Sequence, residues 1–193
     1  MKAFHTIAVP HRDILEGRLT MDVFAADLWE VYQRRGPDEY KDAETFFAKT
    51  YMTEGLKNLL AIVEKRLSGH GGDPVIQIQT PFGGGKTHAL IAMYHKSSQW
   101  NARKVIVVGS ALSMEETLWS AIEKQLTGKT ARFTSQIAPG KEAIRDLLSE
   151  NQPVLILMDE VLQYVTRAAG VKVVESTLAA QTIAFVQELT EAA

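Results

Sequence analysis

Apolar positions along the chain follow two rhythms, and the switch between them predicts the elements. Residues 55–67 carry Leu56, Leu59, Leu60, Ile62, Val63 and Leu67 at helical spacing, giving one apolar helix face. Helices are predicted likewise over 23–31 (VFAADLWEV), 43–49, 87–96, 139–150, 161–167 and 176–191. Two nearly continuous apolar runs, 104–109 (KVIVVG) and 154–158 (VLILM), have the character of strands covered on both faces. A third β-rich run, 74–80 (PVIQIQT), precedes them. Residues 34–40 (RRGPDEY) are polar with a Gly-Pro break and read as a loop, as do 127–138. Residues 68–73 (SGHGGD) end the helix before them, and Gly170 separates the last two helices. Ser113 to Glu116 reads as a capping box opening a helix that runs to about Leu126.

Strands alternating with helices imply an α/β fold: a mostly parallel sheet with helices on both faces, preceded by a helical lead. The division expected is a lead over 1–70 and the front of an α/β core over 71–193. In such sheets ligands sit at the carboxyl ends of the strands, and two polar motifs fall at such ends.

The first motif is Thr80-Pro81-Phe82-Gly83-Gly84-Gly85-Lys86-Thr87, a near match to the P-loop pattern. Consecutive glycines let successive backbone N–H groups turn toward phosphate oxygens without Cβ clashes. The helix that follows adds its N-terminal dipole and free N–H groups. Lys86 would reach the β- and γ-phosphates, and the Thr87 hydroxyl would coordinate Mg²⁺. The pattern departs at Thr80, which stands where a first glycine is expected; Pro81 biases it toward an extended conformation suited to a strand end. The bland alternative is a glycine-rich turn followed by an incidental Lys-Thr.

The second motif is the strand 154–158 delivering Asp159 and Glu160 to its carboxyl end. Asp159 would hold Mg²⁺, and Glu160 would polarise the water that attacks the γ-phosphate. Alternatively, the acidic pair simply caps the following helix. ATP and Mg²⁺ are therefore the expected ligands, with Lys86 and Glu160 as the catalytic pair. No N-K-x-D segment supports guanine specificity, and a glutamate after the Asp argues against a nucleoside kinase.

The 193 residues suffice for one domain with its own core, at 46% hydrophobic, 23% charged and 8% aromatic. A net charge of -2 gives no global attraction to nucleic acid or an anionic membrane. The absence of cysteine excludes disulfides, thiolate catalysis and Cys-based zinc sites. No run approaches the roughly 18 apolar residues of a membrane span. Residues 1–14 lack the features of a signal peptide, so a cytoplasmic location is expected.

Several residues carry weaker signals. His88 is a candidate cofactor contact on phosphate or a switch loop, or else a structural residue of the first turn. Arg167 reads as a charge sensor or a solvated helix end. Tyr51, in 50–56 (TYMTEGL), reads as an adenine contact or an ordinary core aromatic.

A strand and helix between the two motifs resemble the P-loop division that includes rotary, RecA-like and AAA+ ATPases. The segments HRDILEGRLTMDVFAADL, TYMTEGL, QTPFGGGKTHALIAMYH and PVLILMDEVLQYV resemble the N-terminal part of domain-of-unknown-function family 499. The resemblance spans nearly the full chain, and GGGKTHAL and LMDE are its most specific stretches. It implies an AAA+-like P-loop NTPase, with the Walker residues at Gly83, Gly84, Gly85, Lys86, Thr87, Asp159 and Glu160. It also implies a larger bacterial or archaeal protein in DNA-modification and phage-defence clusters. Self-association, partner subunits and DNA contacts are expected through other regions, and no membrane contact. In the AAA+ arrangement a sensor strand sits between the P-loop and acidic strands. The chain is expected to stop short of it, so 75–80 and 154–158 should not be neighbours. The sensor residue, arginine finger and lid would then be absent, and this portion alone should bind nucleotide weakly and turn over poorly. The alternative function is a nucleotide-dependent switch or scaffold with little hydrolysis.

Overall fold

A computed structural model describes residues 8–10, 12–17, 26–81 and 83–193. The lead contributes α1 (Arg12–Leu15), α2 (Leu28–Tyr32), α3 (Asp38–Lys41), α4 (Ala43–Lys49) and α5 (Glu54–Leu67). After it come α6 (Lys86–Lys96), β1 (Arg103–Val108), α7 (Leu118–Thr127), α8 (Lys141–Ser149) and β2 (Val154–Asp159). The chain closes with α9 (Val161–Ala168), a hairpin of β3 (Lys172–Val173) and β4 (Ser176–Thr177), and α10 (Leu178–Ala192).

The fold is mixed α/β around a small parallel sheet, in which β1 pairs with β2 in register from Arg103↔Val154 to Val108↔Asp159. Strand alternation sends successive side chains to opposite faces. Val105 and Val107 join Trp119, Ile122, Tyr164 and Phe185 in one core, while Ile106 and Val108 join Leu28, Phe46, Leu60 and Ile91 in the other. Each such fully buried side chain contributes roughly 1.5–3 kcal/mol. The sheet is thus covered on both faces, which explains why its strands are almost wholly apolar.

The outer edge of β1 is closed by a side chain. Gln125 on α7 donates Nε2 to Ile106 O at 2.8 Å and accepts from Ile106 N at 2.9 Å, so its amide takes the place of a neighbouring strand. Leaving a strand edge open invites pairing with another chain, and this amide occupies the middle of the β1 edge.

Four expectations are corrected. Residues 74–80 belong to neither sheet, and Val75 and Ile76 are 44% and 40% exposed. Their β propensity has no ladder partner to act on, and β2 pairs only with β1 among the described residues. The segment is anchored instead by Ile78, which packs against the core under α6. The helix after β1 is not capped at Ser113. Thr117 caps it, accepting from Ser120 N at 3.2 Å while Ser120 Oγ accepts from Thr117 N at 3.1 Å. Finally, the expected loop 34–40 contains the start of α3, which Pro37 opens in an extended conformation ahead of Asp38 and Glu39. The expected helix over 23–31 begins at Leu28, with Asp27 as its cap; residues 23–25 lie outside the described residues. No described helix is long and apolar enough to cross a membrane.

Candidate functional site

The glycine loop turns where its residues permit it. Gly83 and Gly85 have φ of 74° and 78°, the left-handed region that other residues rarely enter. Gly84 donates its amide to Pro81 O at 3.0 Å, and a Cβ there would sit 2.5 Å from Thr80 Cβ and Oγ1. The loop is therefore closed on Thr80, the residue standing in for the first glycine. Phe82 lies outside the described residues. Gly85 caps α6, so Lys86 and Thr87 occupy its first turn.

The two motifs meet. Thr87 Oγ1 donates to Asp159 Oδ2 at 2.8 Å, across 72 residues of sequence. Lys86 Nζ lies over the loop, donating to Thr80 O at 3.2 Å, Thr80 Oγ1 at 3.3 Å and Pro81 O at 3.4 Å. These partners are neutral, and among the described residues no carboxylate hydrogen-bonds the ammonium. The oxygen donors of Thr87 and Asp159 suit a hard cation such as Mg²⁺. Among the described residues no group of three or more His, Asp or Glu is placed to hold a metal, so a cation here would complete its shell with phosphate oxygens and water. The residues present fit a magnesium–nucleotide pair.

Glu160 sits at the join between β2 and α9 with φ of 51°, an uncommon conformation for a residue with a side chain. Its amide donates to Asp159 Oδ1 at 2.9 Å, and its Oε2 accepts a hydrogen bond from Ser110 Oγ. Gly109 makes this join possible: its amide donates to Asp159 O at 2.9 Å, and a Cβ would lie 2.1 Å from Glu160 O. Ser110 is a site residue that motif reading misses. Its signal lies in the register: parallel pairing of Val108 with Asp159 sets residues just past β1 beside Glu160.

Arg167 is an exposed residue in the last turn of α9, as the solvated-helix-end reading expects, but its guanidinium is not free. Its Nη2 donates to Gly109 O and, at 3.1 Å, to Leu112 O, fastening the loop after β1 onto α9. Tyr51 is not a core aromatic, because it is 87% exposed. Its neighbour Thr50 lies 3.0 Å from His88 Nε2, which brings the Tyr51 segment next to α6. His88, a candidate for phosphate contact, has its ring against the lead, 4.6 Å from the Phe46 ring centroid. Burial there pushes its pKa below the ordinary histidine value.

No curated protein and no solved structure matches the chain. One family model does match, described as the DUF499 N-terminal domain, over residues 4–125. The matched span includes the glycine loop and Ser110 and ends before Asp159 and Glu160. With more than half of its length matched, and with the segments 50–56 and 79–95 inside the match, the chain belongs to the DUF499 family.

Proposed function

We propose that this chain carries the nucleotide site of an AAA+-like P-loop ATPase, binding ATP with magnesium and hydrolysing it. The observation that carries the reading is the Thr87–Asp159 contact at 2.8 Å. Two motifs that each predict a magnesium ligand from sequence have those ligands side by side. The amides of Gly83 and Gly85 and the first turn of α6 would receive phosphate oxygens, and the Gly84 amide would join them on exchanging Pro81 O for phosphate. Lys86 would exchange the carbonyls it now rests on for the β- and γ-phosphates. Magnesium, held by Thr87 and Asp159, would offset charge on the phosphates. Glu160 would accept the proton of the attacking water, with Ser110 holding its Oε2. The exposed Tyr51 ring is the residue available to stack on adenine. A role in DNA-directed phage defence or modification, with self-association or partner subunits, rests on the family resemblance alone.

A second reading is a nucleotide-dependent switch with slow hydrolysis. The Ser110–Glu160 hydrogen bond favours it, because a donor on the carboxylate makes it a weaker base.

ATP binding and turnover of Glu160→Gln and Lys86→Ala test both. In the ATPase reading Glu160→Gln retains binding and lowers turnover by about 10²- to 10⁴-fold, the usual worth of a general base. Lys86→Ala loses both binding and turnover. Unchanged turnover in Glu160→Gln leaves the switch reading.

A further inference from the structure

The turn that carries Ser110, residues 109–112, is held from both ends of α9. At the front of the helix, Glu160 Oε2 accepts from the Ser110 hydroxyl, and Gly109 donates its amide to Asp159 O at 2.9 Å. At the last turn, Arg167 Nη2 donates to Gly109 O and, at 3.1 Å, to Leu112 O. The two protons of one guanidinium nitrogen thus close the turn across its span. Among the described residues no other donor reaches either carbonyl. Tyr164, buried on α9, donates its hydroxyl to Glu116 O at 2.8 Å and grips the chain just beyond.

Within the turn, Ala111 N donates to Val108 O at 3.0 Å, and Leu112 is sunk in the core with Trp119 and Tyr164. Ser110 and Glu160 are both exposed, so the place of the hydroxyl is set by the backbone that carries it. That backbone has a weak point. Residue 109 must be glycine, because a Cβ there would lie 2.1 Å from Glu160 O. Glycine leaves its own dihedrals loosely restrained, so the peptide unit joining it to Ser110 is free to swivel. The Gly109 carbonyl belongs to that planar unit, and it is the carbonyl that Arg167 holds.

We propose that Arg167 is a positioning residue: it locks the Gly109–Ser110 peptide unit, fixes the Ser110 hydroxyl on Glu160, and so governs ATP turnover through Ser110 rather than by touching nucleotide.

The proposal rests on the ATPase reading of Glu160, and its test separates the two. Steady-state ATP turnover is measured for the wild type, Arg167→Ala, Arg167→Lys, Ser110→Ala and Ser110→Ala/Arg167→Ala. Amide hydrogen exchange of Ala111 is followed without nucleotide, with α10 amides as the reference for global folding. Arg167→Ala should shift kcat in the same direction as Ser110→Ala, upward by roughly two- to tenfold, with KM for ATP unchanged. In the Ser110→Ala background it should add nothing. Arg167→Lys should fall between, since an ammonium donates but lacks the planar fork. Ala111 should exchange faster in Arg167→Ala while α10 does not change. Unchanged Ala111 exchange overturns the proposal, as does an Arg167→Ala effect on kcat that persists in full without the Ser110 hydroxyl. Faster exchange with kcat unchanged overturns the positioning role alone. A wild type with no turnover overturns the ATPase reading and the positioning role with it.

Discussion

Replacing Gly109 with alanine tests how tightly the carboxyl end of the sheet is built. The new Cβ would lie 2.1 Å from Glu160 O, 2.7 Å from Glu160 C and 2.9 Å from Val161 Cα. All three are backbone atoms, so no flexible side chain can swing aside. Ordinary contact distances require a shift of about 1 Å between the ends of β1 and β2, in the interior where packing is crystal-like. Overpacking of this kind costs typically 1–3 kcal/mol, and the upper end applies where backbone meets backbone. At about 3 kcal/mol, a chain of this size loses roughly 6–12 °C of Tm. The same shift would move Glu160 away from Ser110 and disturb Asp159 beside Thr87. Gly55, in the first turn of α5, is the control: nothing lies within 4 Å of where its Cβ would stand, so alanine there should stabilise by about 0.5–1 kcal/mol. Urea denaturation of both variants measures the pair. A Gly109→Ala protein within about 0.5 kcal/mol of wild type refutes the close approach, 0.5 kcal/mol being the usual reach of a surface substitution.

Three further outcomes are expected. Ser110→Ala should raise steady-state ATP turnover roughly two- to tenfold, the worth of one hydrogen bond holding Glu160 back; a fall in turnover would mean that Ser110 instead positions the carboxylate for use. Tyr51→Ala should weaken ATP binding roughly two- to tenfold in a calorimetric titration with no change in stability, because the exposed ring supports nothing in the core. Glu123 accepts amides from Ala131, Arg132 and Phe133 at 3.0, 2.8 and 2.8 Å; burial pushes its carboxyl up, but those amides and the Arg132 charge hold it below the ordinary value. Its contribution is present above the ordinary carboxylate range and lost as pH falls through that range and then the depressed folded value. Glu123→Ala should therefore cost about 2–3 kcal/mol at pH 7 and much less near pH 3 in matched urea melts.

The parts of the fold that follow from local periodicity are legible in the sequence. Helix α4 begins and ends where its apolar spacing and Asp42 dictate, and β1 and β2 are visible as apolar runs because both their faces are buried. Residues 74–80 look as strand-like as β2, but a strand exists only with a partner, and composition carries no partner. The capping residue of α7 is ambiguous for a similar reason. Ser113 and Thr117 each have a plausible partner three residues on, and the apolar register beginning at Leu118 decides for Thr117. The hairpin β3–β4 leaves no signal, since each strand has two residues and the turn contains Val174 at a φ of 53°.

The candidate site divides along the same line. Residues 83–87 and Asp159 stand out because their spacing along the chain matches a phosphate-site pattern, and Thr87 and Asp159 meet at 2.8 Å. Ser110 and Arg167 act through partners about 50 residues away, Glu160 for one and the carbonyls of Gly109 and Leu112 for the other. His88 is visible as a residue next to Thr87, but its neighbours Phe46 and Thr50 belong to the lead, and only the docked fold reveals which way the ring points.

Calorimetric titration of ATP, with and without magnesium, into the wild type, Lys86→Ala and Asp159→Asn tests the central claim most directly. The account predicts binding by the wild type that tightens with magnesium, loss of binding in Lys86→Ala, and residual binding indifferent to magnesium in Asp159→Asn. Wild-type protein that ignores ATP, or a Lys86→Ala protein that binds it as the wild type does, contradicts the account.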